Sequence, residues 1–372
     1  MKRRVLIVIP NLGKGGAERV ASYILRDLPR EEFELGVVFF DNRHVHAIPS
    51  DVRVHCLDIP GASGIAGKVS RTIRRIFRMR AIVAAEKPDV VFSFMNTVNL
   101  AVILATRLLR HRPRVIVSER NTPSLQLRGR FASITRLLIG ILYRHADTVV
   151  AVSNGVADDL ASSLRVPREK ITTIYNPVDV DGIRKAAREE VTEHPWFQGE
   201  VPIVINVASL TEQKGQDDLI RAFAMVRKER DCRLAILGEG PREAMLKALA
   251  AELGVGNDVA FLGFQRNPYK FMARAKVFVL SSHWEGFPNV LLEALSCGLY
   301  VVSTDCLSGP SEIIMGNNGD LVEPGNIKNL KLVIDKVLEK NIGNSIFINT
   351  EENVKKWDKQ EILNIYKREF LK

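Results

Sequence analysis

The sequence lacks a long hydrophobic segment. The longest candidate, residues 137–143, lies between Arg136 and Arg144, whereas a membrane-spanning helix needs about 18 or more apolar residues. The basic N-terminal start resembles that of a signal peptide, but the apolar stretch that follows it ends at Pro10 without a cleavage-like site. We therefore expect the chain not to be exported, and we predict that residues 5–9 form a first buried strand.

Cysteine and histidine are scarce, and neither is arranged as a metal site. The four cysteines, Cys56, Cys232, Cys297 and Cys306, are scattered without a Cys-x-x-Cys pair, and no histidine stands at zinc spacing from them. This pattern predicts reduced, structural thiols in a cytosolic protein. We also expect that the protein binds no metal and needs no other cofactor.

The chain carries an excess of positive charge, with a formal net charge of +10 and a pI of about 9.5. Such an excess favours an anionic partner, which can be nucleic acid, a phosphate-rich substrate or an acidic membrane. A solvated basic surface would give the same values. Because the sequence contains no recognised nucleic-acid-binding module, we expect no nucleic-acid partner.

One predicted helix, residues 68–83, concentrates part of this charge. At 100° per residue, its apolar side chains project to one side and most of its basic side chains to the other. Such a helix fits an anionic membrane surface or a pyrophosphate-bearing acceptor, whereas the alternative is a surface helix packed on its own sheet. The apolar set is Val69, Ile73, Ile76, Phe77 and Val83, and the basic set is Lys68, Arg71, Arg74, Arg75 and Arg78, with Arg80 on the apolar side.

The length of 372 residues suits two domains of similar size. Short apolar runs alternate with helical segments, and the pattern restarts after a charged, turn-rich segment at residues 176–202. This alternation predicts two α/β domains with parallel sheets, which bind ligands at the carboxyl ends of their strands in a cleft. The predicted strands are residues 5–9, 35–40, 90–94, 115–117, 149–152, 204–207, 233–237, 259–262, 277–280 and 300–303.

A glycine-rich loop at residues 11–19 follows the first predicted strand. Gly15 and Gly16 allow backbone amides to approach a phosphate in front of the next helix. The Gly-x-Gly-x-x-Gly pattern of dinucleotide enzymes fails, because Glu18 stands at the third glycine position, although Asp41 imitates the ribose carboxylate of such enzymes. The loop is therefore either a phosphate-binding loop or a plain tight turn.

Two turns in the second half carry charged residues that suit a sugar diphosphate. Lys214 stands in a strand-to-helix turn at residues 209–215, where its ammonium group can hold a diphosphate. Glu285 and Glu293 stand eight positions apart around a turn that Pro288 ends at a helix start. One carboxylate can serve a ribose and the other a transferred sugar; the alternative is a capped helix with two solvated acids.

Six short motifs follow one another along the chain: Gly15-Gly16-Ala17-Glu18-Arg19, Val152-Ser153-Asn154-Gly155-Val156, Tyr175-Asn176-Pro177-Val178-Asp179, Gln213-Lys214-Gly215, Leu237-Gly238-Glu239-Gly240-Pro241 and the pair Glu285 and Glu293. Their order and spacing resemble those of the family 4 retaining glycosyltransferases over nearly the whole chain. The paired-glutamate segment is highly specific for that family. The segment Gly309-Pro310-Ser311-Glu312-Ile313-Ile314 further resembles members that transfer hexosamines or galactose-type sugars to undecaprenyl-pyrophosphate-linked glycans.

The resemblance implies the GT-B fold, in which two Rossmann-like domains have parallel sheets that face each other across a cleft. It implies an N-terminal acceptor-binding domain at residues 1–178, onto which a C-terminal helix at about residues 356–372 crosses back. Residues 179–355 are then expected to form the C-terminal nucleotide-sugar-binding domain.

The resemblance also implies roles for individual residues. Glu293 matches the glutamate that binds the nucleotide ribose, and Glu285 matches the glutamate that lies against the donor sugar. Lys214 matches the lysine that binds the diphosphate, and the resemblance implies that Lys214 and Glu285 are the catalytic residues. In the family, the amides of one turn contact the sugar and the diphosphate, and the residues that match this turn are Gly286, Phe287, Pro288 and Asn289. Gly15 and Gly16 match the loop that faces the donor phosphate and the acceptor.

The sequence departs from the family pattern at two positions. Ser209, which we expect at the donor, stands where many members have an arginine, and this leaves Lys214 with more of the leaving-group charge. Many members also have a histidine after the strand at residues 115–117, where this chain reads Ser118-Glu119-Arg120-Asn121. We expect Arg120 to contact the acceptor or the donor without being catalytic. Acceptor contacts are also expected from three arginines of the basic helix, Arg71, Arg74 and Arg75.

The resemblance implies a retaining, metal-independent transfer of a hexose or N-acetylhexosamine from a nucleotide-sugar, with UDP as the expected nucleotide. The expected acceptor is a polyprenyl-pyrophosphate-linked or surface glycan, and the expected location is the cytoplasmic face of the plasma membrane, as a peripheral protein. Lys214 and backbone amides would stabilise the departing diphosphate, and the leaving phosphate would take the acceptor's proton. The alternatives are a nucleotide-sugar epimerase of the same fold and a non-catalytic nucleotide-sugar-binding partner subunit.

Overall fold

The structure is a computed structural model, and it describes residues 2–13, 15–42, 46–60, 64–129, 131–315, 317–339 and 354–372. The chain divides into two compact units. The first unit comprises Met1–Pro177 and Lys359–Lys372, and the second comprises Val178–Asp358. The division falls one residue before the boundary that the sequence predicts, and the return to the first unit begins three residues later than the expected position at about 356.

Seven parallel strands form the sheet of the first unit: β1 (Arg3–Ile9), β2 (Phe33–Phe39), β3 (Arg53–Cys56), β4 (Val90–Phe94), β5 (Arg114–Glu119), β6 (Thr148–Ala151) and β7 (Ile171–Thr173). Their order in the sheet is β3-β2-β1-β4-β5-β6-β7. The central strand β4 is buried along its whole length, which explains its uninterrupted apolar sequence. The outer strands β3 and β7 lie outside the predicted set.

The helices of the first unit include α1 (Gly16–Asp27), α2 (Gly64–Glu86), α3 (Asn96–Thr106), α4 (Pro123–Gln126), α5 (Ala132–Leu142) and α6 (Asn154–Ser162). Local sequence signals fix where some of them begin. Ser153 Oγ accepts a hydrogen bond from the Val156 amide at 3.2 Å, which caps α6. Gly15 precedes the first residue of α1, so the glycine-rich loop leads directly into that helix.

Six parallel strands form the sheet of the second unit: β8 (Ile203–Val207), β9 (Arg233–Leu237), β10 (Val259–Phe261), β11 (Val277–Leu280), β12 (Tyr300–Thr304) and β13 (Gly319–Val322). Their order is β10-β9-β8-β11-β12-β13, so the unpredicted strand β13 lies at an edge. The helices of this unit include α7 (Val180–Ala187), α8 (Gln216–Arg227), α9 (Glu243–Glu252), α10 (Tyr269–Met272), α11 (Asn289–Ser296), α12 (Pro310–Ile313) and α13 (Ile327–Glu339).

The last helix, α14 (Lys359–Leu371), belongs to the first unit. Ile362, Tyr366 and Phe370 recur every four positions on one side of the helix and are fully buried in the core of that unit. The ring centroid of Phe370 lies 5.3 Å from that of Phe92 in β4. Burial of these aromatic rings attaches the C-terminal segment to the first sheet.

Helix α2 does not pack its whole apolar side on the protein. Val83 is buried, but Val69 and Ile73 are about half exposed and Phe77 is 68% exposed. The apolar side chains Val69, Ile73 and Phe77 therefore face the solvent, whereas the end of the helix packs on the first unit through Met79 and Val83.

Two arginines of the basic side explain this orientation. The Arg75 guanidinium lies 4.6 Å from the centroid of the Phe40 ring, and Arg78 Nη1 donates a hydrogen bond to Leu57 O at 2.8 Å. Met79, which follows them, is fully buried. Part of the basic side thus contacts the protein, because long arginine side chains can pack their stems and planar groups on apolar surface.

Helix α5 also exposes large apolar side chains, namely Ile134, Leu137, Leu138 and Ile141. Its inner side is anchored by the buried residues Ile139 and Leu142. In the part of the chain that the structure describes, no helix is both long enough and apolar enough to cross a membrane. The apolar surface of α5 is therefore an exposed face of the first unit.

Candidate functional site

Each sheet has a topological switch point, where chain connections leave in opposite directions. In the first unit it lies between β1 and β4, and in the second unit between β8 and β11. Open parallel sheets bind ligands outside the carboxyl ends of their strands at such points. Most of the predicted site residues follow these strands directly.

At the switch point of the second unit, the half-buried Lys214 and the buried Glu285 form an ion pair. Lys214 lies in the turn after β8 and Glu285 in the turn after β11, and the Nζ–Oε1 distance is 2.5 Å. Their side chains are 18% and 8% exposed. The same Glu285 oxygen accepts a hydrogen bond from Ser282 Oγ at 2.7 Å. The structure thus brings together two residues predicted from separate motifs and adds Ser282. Its position two residues after β11 and three residues before Glu285 is the sequence signal that could have identified it.

Hydrogen bonds between the two turns fix the position of this pair. Gln213 Nε2 donates to Trp284 O at 2.8 Å, and Ser281 Oγ donates to Lys214 O at 2.9 Å. Gly215 permits this close approach, because its φ is 56° and a Cβ atom there would lie 2.2 Å from Ser281 O. The lysine is therefore presented by a well-anchored turn.

The turn between β11 and α11 ends at Pro288, which precedes the first helical residue, Asn289. Gly286, Phe287 and Pro288 are all buried. Gly309 packs directly against this turn, since a Cβ atom there would lie 2.7 Å from Pro288 Cδ and 2.9 Å from Gly286 O. The segment that begins at Gly309 therefore contacts the turn that is expected to meet the donor sugar.

Glu293 and Ser209 occupy the remaining predicted donor positions. Glu293 lies in the second turn of α11 and is 6% exposed. Ser209 is exposed in the turn after β8, and its carbonyl oxygen accepts a hydrogen bond from Gln216 Nε2 at 3.0 Å. Gln216 is fully buried, so this bond fixes the backbone at Ser209. The serine itself brings no positive charge to the side of Lys214.

Two buried cysteines border the predicted donor residues. Burial, together with the charge of Glu293, raises the pKa of Cys297 to about 12. The pKa of Cys306 is likewise raised to about 12, mainly by burial and also by the charge of Glu285, which outweigh the opposing effect of Lys214. Both thiols therefore stay protonated at neutral pH and are poor nucleophiles.

The glycine-rich loop lies at the switch point of the first unit. Gly15 and Gly16 are exposed between β1 and α1, and Lys14 lies outside the described residues. The Glu18 carboxylate folds back over the loop, since a Cβ atom on Gly15 would lie 2.3 Å from Glu18 Oε2. Burial raises the pKa of Glu18, while a hydrogen bond from its backbone amide and the charge of Arg120 lower it.

Arg120 follows β5 and contacts several elements of the first unit. Its Nη2 donates to Asn176 Oδ1 at 2.5 Å, and its Nη1 donates to Ser118 Oγ at 3.3 Å and to Tyr366 Oη at 3.5 Å. The guanidinium lies 5.4 Å from the centroid of the Phe94 ring. Arg120 is thus held at the carboxyl edge of the sheet, with partners in the Tyr-Asn-Pro motif and in α14 that the sequence analysis did not identify.

Of the three predicted acceptor residues in α2, Arg71 and Arg75 lie near this edge of the sheet. Burial lowers the pKa of Arg75, and the neighbouring charge of Arg71 lowers it further while that of Asp41 raises it. Phe40, on which Arg75 packs, directly follows β2. Arg74 is exposed.

The triplet Asp179-Val180-Asp181 has the form of an Asp-x-Asp metal motif. Asp179 caps α7, because its Oδ1 accepts a hydrogen bond from the Gly182 amide at 3.2 Å. Asp181 lies in the first turn of the same helix, a favourable position for a carboxylate. Within the described ranges, no group of three or more His, Cys, Asp or Glu side chains is placed to hold a metal ion.

Two family models match the chain, and together they span both units. The model described as Glycosyltransferase Family 4 matches residues 14–181. The model described as Glycosyl transferases group 1 matches residues 188–357.

Two relatives come from Campylobacter jejuni. The chain is 32% identical over 343 residues to N-acetylgalactosamine-N,N'-diacetylbacillosaminyl-diphospho-undecaprenol 4-alpha-N-acetylgalactosaminyltransferase, over 90% of this chain and 89% of that protein. It is 25% identical over 376 residues to GalNAc-alpha-(1->4)-GalNAc-alpha-(1->3)-diNAcBac-PP-undecaprenol alpha-1,4-N-acetyl-D-galactosaminyltransferase, over 99% and 97% of the two chains.

Among solved structures, Anabaena HepE in complex with UDP matches 99% of this chain and 99% of its own, with a TM-score of 0.77 at 19% identity. This likeness concerns the fold, which is GT-B. Because family models cover both units and a relative at 32% identity aligns over 90% of the chain, the protein is a glycosyltransferase that belongs to family 4.

Proposed function

We propose that the protein transfers a hexose or an N-acetylhexosamine from a UDP-sugar to a glycan linked to polyprenyl pyrophosphate. The transfer retains the anomeric configuration and needs no metal ion. The observation that carries this proposal is the Lys214–Glu285 ion pair, shielded from most of the solvent at the switch point of the second sheet. A cation can pair with the phosphates of a sugar diphosphate and a carboxylate can accept hydrogen bonds from its hydroxyls, and the pair supplies both groups.

In the proposed reaction, Lys214 stabilises the negative charge that develops as the bond between the anomeric carbon and the phosphate oxygen breaks. The acceptor hydroxyl oxygen forms the new bond on the same face of the sugar, and the leaving phosphate takes its proton. Glu285 accepts hydrogen bonds from the donor sugar, Glu293 accepts from the ribose, and the amides of the turn at residues 286–289 contact the diphosphate. The cation of Lys214 acts where other transferases use a divalent metal.

The names of the two Campylobacter relatives support a lipid-linked acceptor, because both specify glycans on undecaprenyl diphosphate. In this chain, Arg71 and Arg75 lie at the carboxyl edge of the first sheet, and Arg74 is exposed beside them. Guanidinium groups bind phosphate oxygens in a bidentate manner. We therefore assign these three arginines to the acceptor pyrophosphate and Arg120 to the acceptor glycan.

The exposed apolar faces of α2 and α5 support a peripheral membrane location. Both helices pack on α3, so their exposed side chains, including Phe77 at 68% and Leu137 at 63% exposure, lie on one face of the first unit. Exposed arginines of α2 and of the segment that follows α3, among them Arg74, Arg107 and Arg110, would attract anionic headgroups. Because the four thiols are free, we assign this contact to the cytoplasmic leaflet.

The test offers a panel of UDP-hexoses and UDP-N-acetylhexosamines to undecaprenyl-diphosphate-linked glycans in the presence of EDTA. The main acceptor ends in N-acetylgalactosamine. We expect UDP release coupled to a heavier lipid product, and we expect the product linkage, read by NMR, to keep the configuration of the donor. Turnover that needs an added divalent metal would contradict the metal-independent mechanism.

Three other outcomes would contradict the proposed transfer itself. UDP release without a lipid product would indicate hydrolysis. Formation of an epimeric sugar without an acceptor would indicate a nucleotide-sugar epimerase. Binding of UDP-sugar without any turnover would indicate a non-catalytic partner subunit.

A further inference from the structure

The proposed function leaves Glu18 without a role, although its carboxylate lies at the switch point of the first sheet. Glu18 is the third residue of α1, and it folds back so that its Oε2 lies over Gly15. The loop that precedes α1 follows β1, and β4 is the neighbour of β1 at the switch point. The carboxylate therefore lies where open parallel sheets bind their ligands.

Arg120 approaches the same place from the other side of β4. It follows β5, and its guanidinium lies over the ring of Phe94, the last residue of β4, at 5.4 Å from the centroid. Because the strand order is β1-β4-β5, Arg120 and Glu18 approach each other across β4. The charge of Arg120 acts on Glu18, yet no direct ion pair joins the two described side chains.

Neither Arg120 nor Glu18 uses all of its hydrogen-bonding capacity within the protein. Arg120 uses its terminal nitrogens on Asn176, Ser118 and Tyr366, whereas its Nε is buried and has no partner among the described residues. Among the residues that the structure describes, no side chain donates a hydrogen bond to the Glu18 carboxylate. This carboxylate accepts a hydrogen bond from its own backbone amide. Partly buried polar groups without partners are costly, so a polar ligand would stabilise both.

We propose that Glu18 accepts a hydrogen bond from a hydroxyl of the terminal sugar of the acceptor and so orients the hydroxyl that attacks the donor. The inference rests on the proposed function and adds an acceptor-binding residue to it. Glu18 remains a carboxylate throughout, because the proton of the attacking hydroxyl goes to the leaving phosphate. Arg120 contacts the same sugar from the opposite side, and a sugar with several hydroxyls can bridge the two charges.

Capping of α1 is the structural role that this position could have instead. A glutamate at the third position of a helix often folds back to cap its N-terminus, and glutamine does so as well. Glu18→Gln therefore keeps the cap and removes the charge. Glu361→Gln is a matched control, because Glu361 lies in the first turn of α14 in the same unit and is exposed.

The experiment measures steady-state transfer from UDP-N-acetylgalactosamine to undecaprenyl diphosphate bearing a terminal N-acetylgalactosamine. We expect Glu18→Gln to raise the acceptor KM about tenfold and Glu18→Ala to raise it up to about a hundredfold, the range for a hydrogen bond to a charged group. Donor KM should stay within about twofold of the wild-type value, because the proposed contact of Glu18 is with the acceptor and not with the donor. Glu361→Gln should match the wild type.

A second variant displaces the carboxylate without removing it. The Gly15 backbone has a φ of −84°, which alanine adopts readily, but its Cβ atom would occupy the position 2.3 Å from Glu18 Oε2. Gly15→Ala should therefore also raise the acceptor KM. If it acts through Glu18, the double variant Gly15→Ala, Glu18→Ala should be no worse than Glu18→Ala alone, because effects that share one group do not add.

An unchanged acceptor KM in a folded Glu18→Ala enzyme would overturn the inference, and so would a donor KM that rises in parallel. Loss of activity in Glu18→Ala together with wild-type kinetics in Glu18→Gln would assign the residue to helix capping alone. Absence of transfer by the wild-type enzyme would instead contradict the proposed function, so the two failures are distinguishable.

Discussion

Replacing Lys214 by methionine tests the ion pair on which the proposed mechanism depends. Methionine leaves the Glu285 carboxylate, which is only 8% exposed, without its cation. Removing one partner of a buried pair costs about 3–5 kcal/mol. We expect a loss of about 2–3 kcal/mol in the free energy of unfolding, because the lysine is 18% exposed and Ser282 Oγ still donates to the same carboxylate oxygen at 2.7 Å.

We expect Lys214→Met to affect the rate of transfer more than the free energy of unfolding. Removal of one group that stabilises a developing negative charge lowers kcat by about a hundredfold to a thousandfold. UDP release and formation of the lipid product should therefore fall together by this factor. Both rates are measured at saturating donor, in the same buffer in which urea unfolding gives the stability of each variant.

A double variant, Lys214→Met with Glu285→Gln, separates the structural effect from the catalytic one. With both charges removed, stability should return to within about 1 kcal/mol of the wild type, whereas transfer should remain low because the diphosphate still lacks its cation. Lys247→Met is the matched control, since Lys247 pairs with Glu243 at 2.7 Å on the surface, and it should change stability by less than about 0.5 kcal/mol. Wild-type transfer by Lys214→Met, or recovery of transfer in the double variant, would refute the reasoning.

Three further predictions concern other parts of the chain. Glu293→Gln should weaken UDP binding about tenfold in a calorimetric titration, the loss of one charge-assisted hydrogen bond, and unchanged affinity would contradict the ribose assignment. Burial raises the pKa of Glu119 from 4.5 to about 7, so the folded state holds this proton more tightly than the unfolded state does. The contribution of Glu119 to the free energy of unfolding should be complete below pH 4.5 and should fall by up to about 3 kcal/mol as the pH rises to 7. The difference in free energy of unfolding between the wild type and Glu119→Gln, measured by urea unfolding at each pH, should follow this change. Serine at Phe77 and Leu137 should weaken cosedimentation with phosphatidylglycerol vesicles at least about fivefold, whereas serine at Leu332, which is 59% exposed in the second unit, should not.

The sequence predicts strands well where both faces of the strand are buried, and less well at the edges. The strands β3, β7 and β13 escaped prediction, and all three lie at the ends of their sheets. An edge strand can be short and partly exposed, so it needs no continuous apolar run; three of the four residues of β3, for example, are exposed. The place of such a strand follows from pairing with its neighbour rather than from its own composition.

The motifs identified Lys214 and Glu285 as donor residues but did not predict their contact. The two residues are 71 positions apart, and they meet because β8 and β11 are neighbours in the sheet. Neither motif indicates that these two strands are neighbours. In the same way, periodicity divides α2 into an apolar and a basic side but does not say which side faces the protein, which the packing of Arg75 on Phe40 decides.

The Lys214–Glu285 pair also explains how a site for a sugar diphosphate is stable before its ligand binds. A cation or a carboxylate held alone at such low exposure would be costly, whereas the pair, with the hydrogen bond from Ser282, satisfies both charges. On the proposed mechanism, the donor brings phosphates to Lys214 and sugar hydroxyls to Glu285, so each charge exchanges a protein partner for a ligand partner. A ligand that offers only phosphates or only hydroxyls leaves one charge unpaired. The pair therefore favours ligands that carry both groups, which is the chemistry of a nucleotide-sugar.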